Sequence, residues 1–180
     1  NPVSRRRKRF EILNNTSSEF FGNKPESINF RIKSDKNGKP GCLIDNPKSG
    51  EYFYWLQDCF IQNGKLYAFT DNIVFNESGM EGFQFDLIGV DLVSIDIVNE
   101  SLDFEKVSVT SSPLYLKSPK TYFGCAILPN GFESMLPFAD GYVYVYGLQD
   151  RGLLNKSLLV ARVRAQDFED FAKYTFYDGK

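Results

Sequence analysis

Residues 102–107 read Leu-Asp-Phe-Glu-Lys-Val, and residues 169–174 read Glu-Asp-Phe-Ala-Lys-Tyr. The two stretches share an Asp-Phe-x-Lys pattern at an offset of 67 residues, from Asp103 to Asp170. The same three landmarks precede each stretch in the same order: a segment with a cysteine, an aromatic segment and an alternating apolar segment. A repeat built from such short segments predicts two copies of one supersecondary unit.

Each copy contains four segments that are rich in β-branched and aromatic residues, as strands usually are. They are residues 52–61, 65–70, 89–98 and 105–110 in the first copy and 121–128, 141–148, 157–164 and 174–177 in the second. Asn63-Gly64 separates the first two segments and is a strong signal for a two-residue hairpin turn. No long stretch has the apolar spacing of a helix. The pattern predicts an all-β fold, a β-propeller with about two to three four-stranded blades. Chance similarity between strands of one β-sandwich is the alternative.

The repeat also predicts how the chain is divided. Residues 1–50 would form a first strand and loops, as a partial blade, and residues 51–112 and 113–180 would form one blade each. Closed propellers usually have about four to eight blades. We therefore expect that missing blades or another copy of the chain complete the ring. A domain that stands alone and packs with copies of itself is a further alternative.

Composition excludes several classes of function. The chain has 21 Lys+Arg and 23 Asp+Glu, a net charge of −2, which argues against a nucleic-acid partner. It has no histidine, which excludes His-based catalysis and imidazole metal sites. The three cysteines lack metal-site spacing, so we predict buried thiols, no metal and no cofactor. No apolar run reaches the ~20 residues of a membrane-spanning helix, so we expect no membrane partner.

Three parts of the sequence resemble a known family. Residues 54–67 read Tyr-Trp-Leu-Gln-Asp-Cys-Phe-Ile-Gln-Asn-Gly-Lys-Leu-Tyr, and they carry the resemblance together with residues 6–16 and four short stretches between 122 and 179. The family is one of bacterial five-bladed β-propellers that look like relatives of the glycoside hydrolases acting on arabinans and fructans. The resemblance implies a carbohydrate-active domain. Because members of that family are longer, the chain resembles the middle of such a propeller.

In a propeller, the first strand of each blade lines the central channel, where polar groups and aromatic rings contact ligands. Sugars suit such a lining, since aromatic faces cover their C–H patches while carboxylates and amides bond their hydroxyl groups. The predicted ligand-contacting residues are Asn14, Asn15, Trp55, Asp58, Tyr122 and Phe123. Trp55 has a structural alternative, packing between blades. Asp58 has one as well, capping a turn or accepting a hydrogen bond from a backbone amide of the next blade.

Hydrolysis of a glycosidic bond uses two carboxyl groups. The resemblance implies acids on successive blades, and Asp58 has the position expected of the catalytic acid on the second blade. Residues 121–128, the corresponding strand of the next blade, contain no carboxylate. Two functions therefore stay open: a glycoside hydrolase-like domain and a non-catalytic propeller that binds glycan or protein.

Overall fold

The structure, a computed structural model, describes residue 13 and residues 15–45, 52–132, 134, 136–152 and 155–179. Asn14, one of the predicted ligand-contacting residues, lies outside the described residues. The chain divides into two compact units, Asn1–Asp45 and Asn46–Lys180.

The first unit contains a small antiparallel hairpin. Strands β1 (Ser18–Phe21) and β2 (Asn29–Ile32) pair with each other, and a single 3-10 turn, Pro25–Ser27, connects them. The side chain of Asn15 is buried and brackets the backbone of Ile44. Its amide donates to the Ile44 carbonyl at 3.2 Å, and its Oδ1 accepts from the Ile44 N–H at 2.7 Å. Asn15 therefore stabilises a chain crossing within this unit.

The second unit contains two antiparallel sheets. The first sheet has the order β3-β4-β5-β6, with β3 (Phe53–Gln62), β4 (Lys65–Phe75), β5 (Phe85–Val98) and β6 (Ser101–Ser111). The second has the order β11-β10-β9-β8-β7, with β7 (Tyr115–Lys117), β8 (Lys120–Asn130), β9 (Tyr142–Asp150), β10 (Lys156–Arg164) and β11 (Thr175–Phe176). Each sheet is a meander, in which every strand pairs with its neighbour in sequence. The predicted all-β, propeller-like fold is confirmed, and it is only partly closed.

Two-residue turns connect β3 to β4 and β5 to β6 in the first sheet. Asn63 and Gly64 have φ values of 50° and 72°, the left-handed conformation that the predicted hairpin requires. Asn99 and Glu100 form a second such turn, with φ values of 50° and 62°. Since this turn has no glycine, the sequence did not reveal it, and β6 begins four residues earlier than predicted.

The repeated Asp-Phe-x-Lys motif folds in the same local way in both copies. Asp103 and Asp170 each accept a hydrogen bond from the amide two residues further on, at 3.2 Å. Each also pairs with the lysine three residues on, Lys106 at 3.5 Å and Lys173 at 3.6 Å. The first copy lies within β6, whereas the second forms a 3-10 turn, Phe171–Lys173, before β11.

The main core lies between the two sheets of the second unit. It is a cluster of buried side chains from both: Phe60, Tyr67, Phe69, Val90, Leu92, Leu114, Phe123, Val143, Val145, Ala161, Val163, Phe168 and Tyr174.

The prediction of buried thiols is wrong for Cys59, which is exposed on β3, while Cys42 and Cys125 are half-buried. In the described part of the chain, no helix is long and apolar enough to cross a membrane.

Candidate functional site

The first long strands of the two sheets, β3 and β8, lie side by side, and each is interrupted by a β-bulge. The register of β3 shifts between Leu56 and Cys59, which leaves Gln57 and Asp58 as the bulged residues. The register of β8 shifts between Phe123 and Ala126, which leaves Gly124 and Cys125. We call these four residues the bulge junction. Bulges of this kind are common beside active sites, because they redirect side chains.

The junction depends on a close approach of the two sheets. Gly124 has a φ of 106°, and a Cβ added there would lie 2.6 Å from Cβ of Phe69 on β4. No other residue type fits at this distance. The glycine therefore brings the bulge of β8 against the face of the first sheet.

Asp58 connects the two strands. Its Oδ1 accepts a hydrogen bond from the Cys59 amide at 2.9 Å, and its Oδ2 accepts one from the Ile127 amide on β8 at 2.7 Å. The carboxylate therefore satisfies one backbone amide on each of the two strands, that of Cys59 directly beside the bulge of β3. This contact with a backbone amide of the neighbouring sheet is the structural alternative that the sequence offered for Asp58. Its catalytic role stays a prediction.

Behind the junction lies a buried carboxyl group, that of Asp71 on β4. Only 8% of the residue is exposed, and its Oδ2 accepts a hydrogen bond from Nε2 of Gln57 at 2.6 Å. Its Oδ1 has no hydrogen-bond partner among the described residues. Burial raises the pKa of Asp71 to about 6, while the hydrogen bond from Gln57 and the charge of Lys120 oppose the shift. The group therefore exchanges its proton near neutral pH, a property that is concentrated at functional sites.

Trp55 lies beside this carboxyl group, and the charge of Asp71 acts on two side chains of the second sheet. Trp55 is the direct cross-strand partner of Asp71, so the two side chains share one face of the sheet. The charge of Asp71 also reaches Tyr122 and Cys125 on β8, where it adds to the burial that raises the pKa of both groups. Trp55, Tyr122 and Cys125 are all half-buried. The arrangement combines aromatic rings, an amide and a carboxyl group.

A second buried carboxyl group, Asp91 on β5, lies on the opposite face of the same sheet. Its cross-strand partner is Thr70, which alternates with Asp71 along β4. Asn72 donates a hydrogen bond to Asp91 Oδ2 at 3.0 Å, and burial raises the pKa of Asp91. The two buried acids therefore do not act on one ligand together.

The predicted ligand-contacting residues separate into different environments. Trp55 is the cross-strand partner of Asp71, although its ring also packs edge-on against Phe85, with centroids 4.6 Å apart. Tyr122 on β8 is within reach of the charge of Asp71. Phe123 is 7% exposed and belongs to the core, where its ring contacts that of Phe176. Asn15 belongs to the first unit.

Sequence reasoning missed Gln57 and Asp71. The polar pair Asp71-Asn72 follows the apolar run of β4 and suggested that the strand ended at Thr70. β4 continues to Phe75, so Asp71 lies inside a strand. A carboxylate inside a strand is unusual, and this unusual position was the signal that could have revealed Asp71.

A cavity of about 430 Å³ lies at the other end of β3. It is lined by Gln62, Phe132, Ser134, Gln166 and neighbouring residues, none of which is titratable. It offers room for a ligand but no acid–base chemistry. In the described part of the chain, no three His, Cys, Asp or Glu residues are grouped so that they could hold a metal ion.

A family model described as "Domain of unknown function (DUF5005)" matches residues 5–180. The chain belongs to the DUF5005 family. No curated protein and no solved structure matches it.

Proposed function

We propose that this domain is a carbohydrate-active, propeller-like domain that binds a polysaccharide at the bulge junction. The observation that carries the proposal is the placement of Trp55 and Gln57 beside the buried carboxyl group of Asp71, whose charge also acts on Tyr122 of the second sheet. Aromatic rings cover the apolar faces of sugars, and amide and carboxyl groups bond their hydroxyls. The resemblance to propellers related to arabinan- and fructan-active hydrolases suggests the class of polysaccharide.

Within this site, Asp71 positions the amide of Gln57. The 2.6 Å hydrogen bond to Asp71 orients that side chain, which is half-buried at the edge strand. A fixed amide loses less conformational freedom when a ligand binds, which increases affinity.

The second candidate function is glycoside hydrolysis, and the pKa of Asp71 favours it. A carboxyl group with a pKa of about 6 is suited to general acid catalysis near neutral pH. Hydrolysis also needs a second carboxyl group on the other side of the bond. Both oxygens of Asp58 accept backbone hydrogen bonds, and Asp91 lies on the opposite face. Binding is therefore the better-supported function.

Titration of the chain with soluble arabinan and levan, followed by calorimetry, tests binding. We expect Trp55→Ala and Gln57→Ala each to weaken binding by about tenfold, the loss of one stacking or polar contact of about 1.4 kcal/mol. Phe75→Ala is the matched control, since Phe75 is an aromatic residue of the first sheet that is 65% exposed. Unchanged affinity in both junction variants, or no binding to either polysaccharide, would overturn the proposal.

Release of reducing sugar separates the two candidates. A hydrolase would lose turnover in Asp71→Asn while it keeps its affinity, and Asp86→Asn, at an exposed position of β5, serves as the control. Binding without turnover in the parent chain supports the binding function alone.

A further inference from the structure

The cavity at the far end of β3 lies where connecting segments of both sheets meet. Its walls come from the end of β3, from the connection between β8 and β9, and from the 3-10 turn Ala165–Asp167 after β10. Its volume of about 430 Å³ falls within the range of pockets that hold small molecules, ~300–1,000 Å³. Gln62 in its wall follows Gln57 of the bulge junction by roughly 16 Å of extended strand. We call this separate site the strand-end cavity.

Amide side chains line the strand-end cavity from two directions. Gln62 and Asn63 come from the first sheet and its hairpin turn, and Gln166 comes from the segment after β10. The amide of Gln62 donates a hydrogen bond to the carbonyl of Ala165, which holds this side chain across the gap between the two sheets. A side-chain amide both donates and accepts hydrogen bonds, as a hydroxyl group does. The wall therefore suits a ligand with several hydroxyl groups.

A hydroxyl group in the same wall has unused hydrogen-bonding capacity. Oγ of Ser134 is buried and has no hydrogen-bond partner among the described residues. The backbone of Ser134 is held in a turn, since its N–H donates to the carbonyl of Gly131 at 2.9 Å. A buried hydroxyl without a partner is unfavourable. Rotation about the Cα–Cβ bond of Ser134, which lines the cavity, brings this hydroxyl to a ligand there.

Two exposed apolar side chains complete the lining. Phe132 is 75% exposed and Ile61 is 64% exposed. The Phe132 ring rests on the backbone of Gly141, where an added Cβ would lie 2.6 Å from Cε2 of the ring. Because glycine leaves this room, the ring is supported from one side while most of its surface stays open. It can cover the C–H groups of a ligand in the cavity.

Among the described residues, no charged side chain lines the strand-end cavity. Arg164 lies beside Gly141, but its guanidinium packs on the ring of Tyr142, 4.1 Å from the ring centre. It also donates a hydrogen bond to the carbonyl of Asp140 at 3.3 Å. A charged ligand would lose hydration in the cavity without meeting an opposite charge in its wall. The lining therefore favours an uncharged ligand.

We propose that the strand-end cavity binds an uncharged, hydroxyl-rich ligand of the size of one sugar unit. The amides of Gln62, Asn63 and Gln166 and the hydroxyl of Ser134 bond its hydroxyl groups, and Phe132 covers its C–H groups. A peptide unit would use fewer of these groups, because it has only one donor and one acceptor. A sugar has polar groups around its whole edge and so matches a lining with polar groups on several sides.

Titration of the full chain with methyl glycosides of glucose, galactose, arabinose and fructose, followed by NMR, tests the proposal. We expect at least one of them to bind with a dissociation constant of about 1 mM, as suits a ligand of about a dozen non-hydrogen atoms. The shifts should centre on the backbone amides of Gly131 and Gly141 and on the side-chain amides of Gln62, Asn63 and Gln166. Glucuronate and glucosamine, the charged counterparts, should bind about threefold or more weakly.

Two variants at exposed positions test the assigned contacts. Phe132→Ala should weaken binding by about fivefold, the loss of one aromatic contact. Phe138→Ala is the matched control, because Phe138 is an 82% exposed ring in the same connection between β8 and β9 and does not line this cavity. Gln166→Glu keeps the shape of the wall and adds a negative charge, so it should raise the affinity for glucosamine by about two- to fivefold. Thermal unfolding of each variant checks that it is folded.

Several outcomes would overturn the proposal. They are the absence of shifts with all four neutral sugars at about 20 mM, shifts centred elsewhere, and equal binding of the charged sugars. Equal effects of the two phenylalanine variants, or no gain for glucosamine in Gln166→Glu, would overturn it as well. Tighter binding of N-acetylglycinamide than of every sugar would assign the cavity to peptides instead. Binding of arabinan and levan at the bulge junction is measured separately, so either proposal can fail without the other.

Discussion

Replacing Gly124 by alanine tests the close approach of the two sheets on which the bulge junction depends. The added Cβ would lie 2.6 Å from Cβ of Phe69 and 2.8 Å from its Cγ. Because the nearest atom is a Cβ, rotation of the Phe69 side chain does not relieve the contact, and the backbone must move. Overpacking of this kind costs about 1–3 kcal/mol. The φ of 106° adds about 1–2 kcal/mol for a residue with a side chain.

The expected loss of unfolding free energy is therefore about 2–5 kcal/mol, a large part of the total stability of a domain. Urea unfolding, followed by fluorescence, measures it. Gly152→Ala is the matched control, because Gly152 has a φ of 122° but an added Cβ meets no described atom within 4 Å. It should lose only the conformational cost of about 1–2 kcal/mol. Equal losses in the two variants would refute the close approach of β8 to the first sheet.

Three further predictions concern the same unit. Burial raises the pKa of Asp71 from 3.8 to about 6, so the stability that its protonated form contributes is present below pH 4 and lost as the pH rises through 6. Asp71→Asn keeps the acceptor for Gln57 but carries no charge, so its unfolding free energy at pH 8 should exceed that of the parent by up to roughly 3 kcal/mol. If the unfolding free energies of the variant and the parent depend on pH in the same way from pH 4 to 8, the burial of Asp71 is contradicted. Asp58→Ala should cost about 1–3 kcal/mol and speed hydrogen exchange at the Ile127 amide, and unaltered exchange there would show that the inter-sheet hydrogen bond is not formed. Glu100→Gly should raise the stability by about 1 kcal/mol, measured by urea unfolding, because glycine adopts a φ of 62° without strain; a loss of stability would argue against that turn.

Local signals predicted the turns and strands well where one residue type determines the conformation. Asn63-Gly64 is such a case, since glycine adopts a positive φ at no steric cost. Asn99-Glu100 adopts a similar turn without glycine, and the hydrogen bonds of β5 and β6 on either side impose it. The repeat was visible because each Asp-Phe-x-Lys copy makes its capping and ionic contacts within four residues.

The candidate site was only partly visible in the sequence. Trp55 and Tyr122 were predicted because aromatic residues on first strands are expected beside the channel; Trp55 is the cross-strand partner of Asp71, and the charge of Asp71 acts on Tyr122. Asp71 was passed over because a carboxylate inside a strand is unfavourable unless something compensates it. The compensation comes from Gln57, fourteen positions away, whose side chain the bulge of β3 directs towards it.

The amino-acid sequence by itself determined that this chain folds into antiparallel strands, that Asn63-Gly64 forms a tight turn and that two successive meander sheets follow each other, although the second has a fifth strand, β7, that was not predicted. These properties follow from steric preferences and hydrogen bonds between residues close together along the chain. Only the tertiary structure decided which acids are buried, Asp71 and Asp91, and which one, Asp58, joins the two sheets. Burial and desolvation depend on atoms brought together across dozens of residues, and no short-range pattern records them.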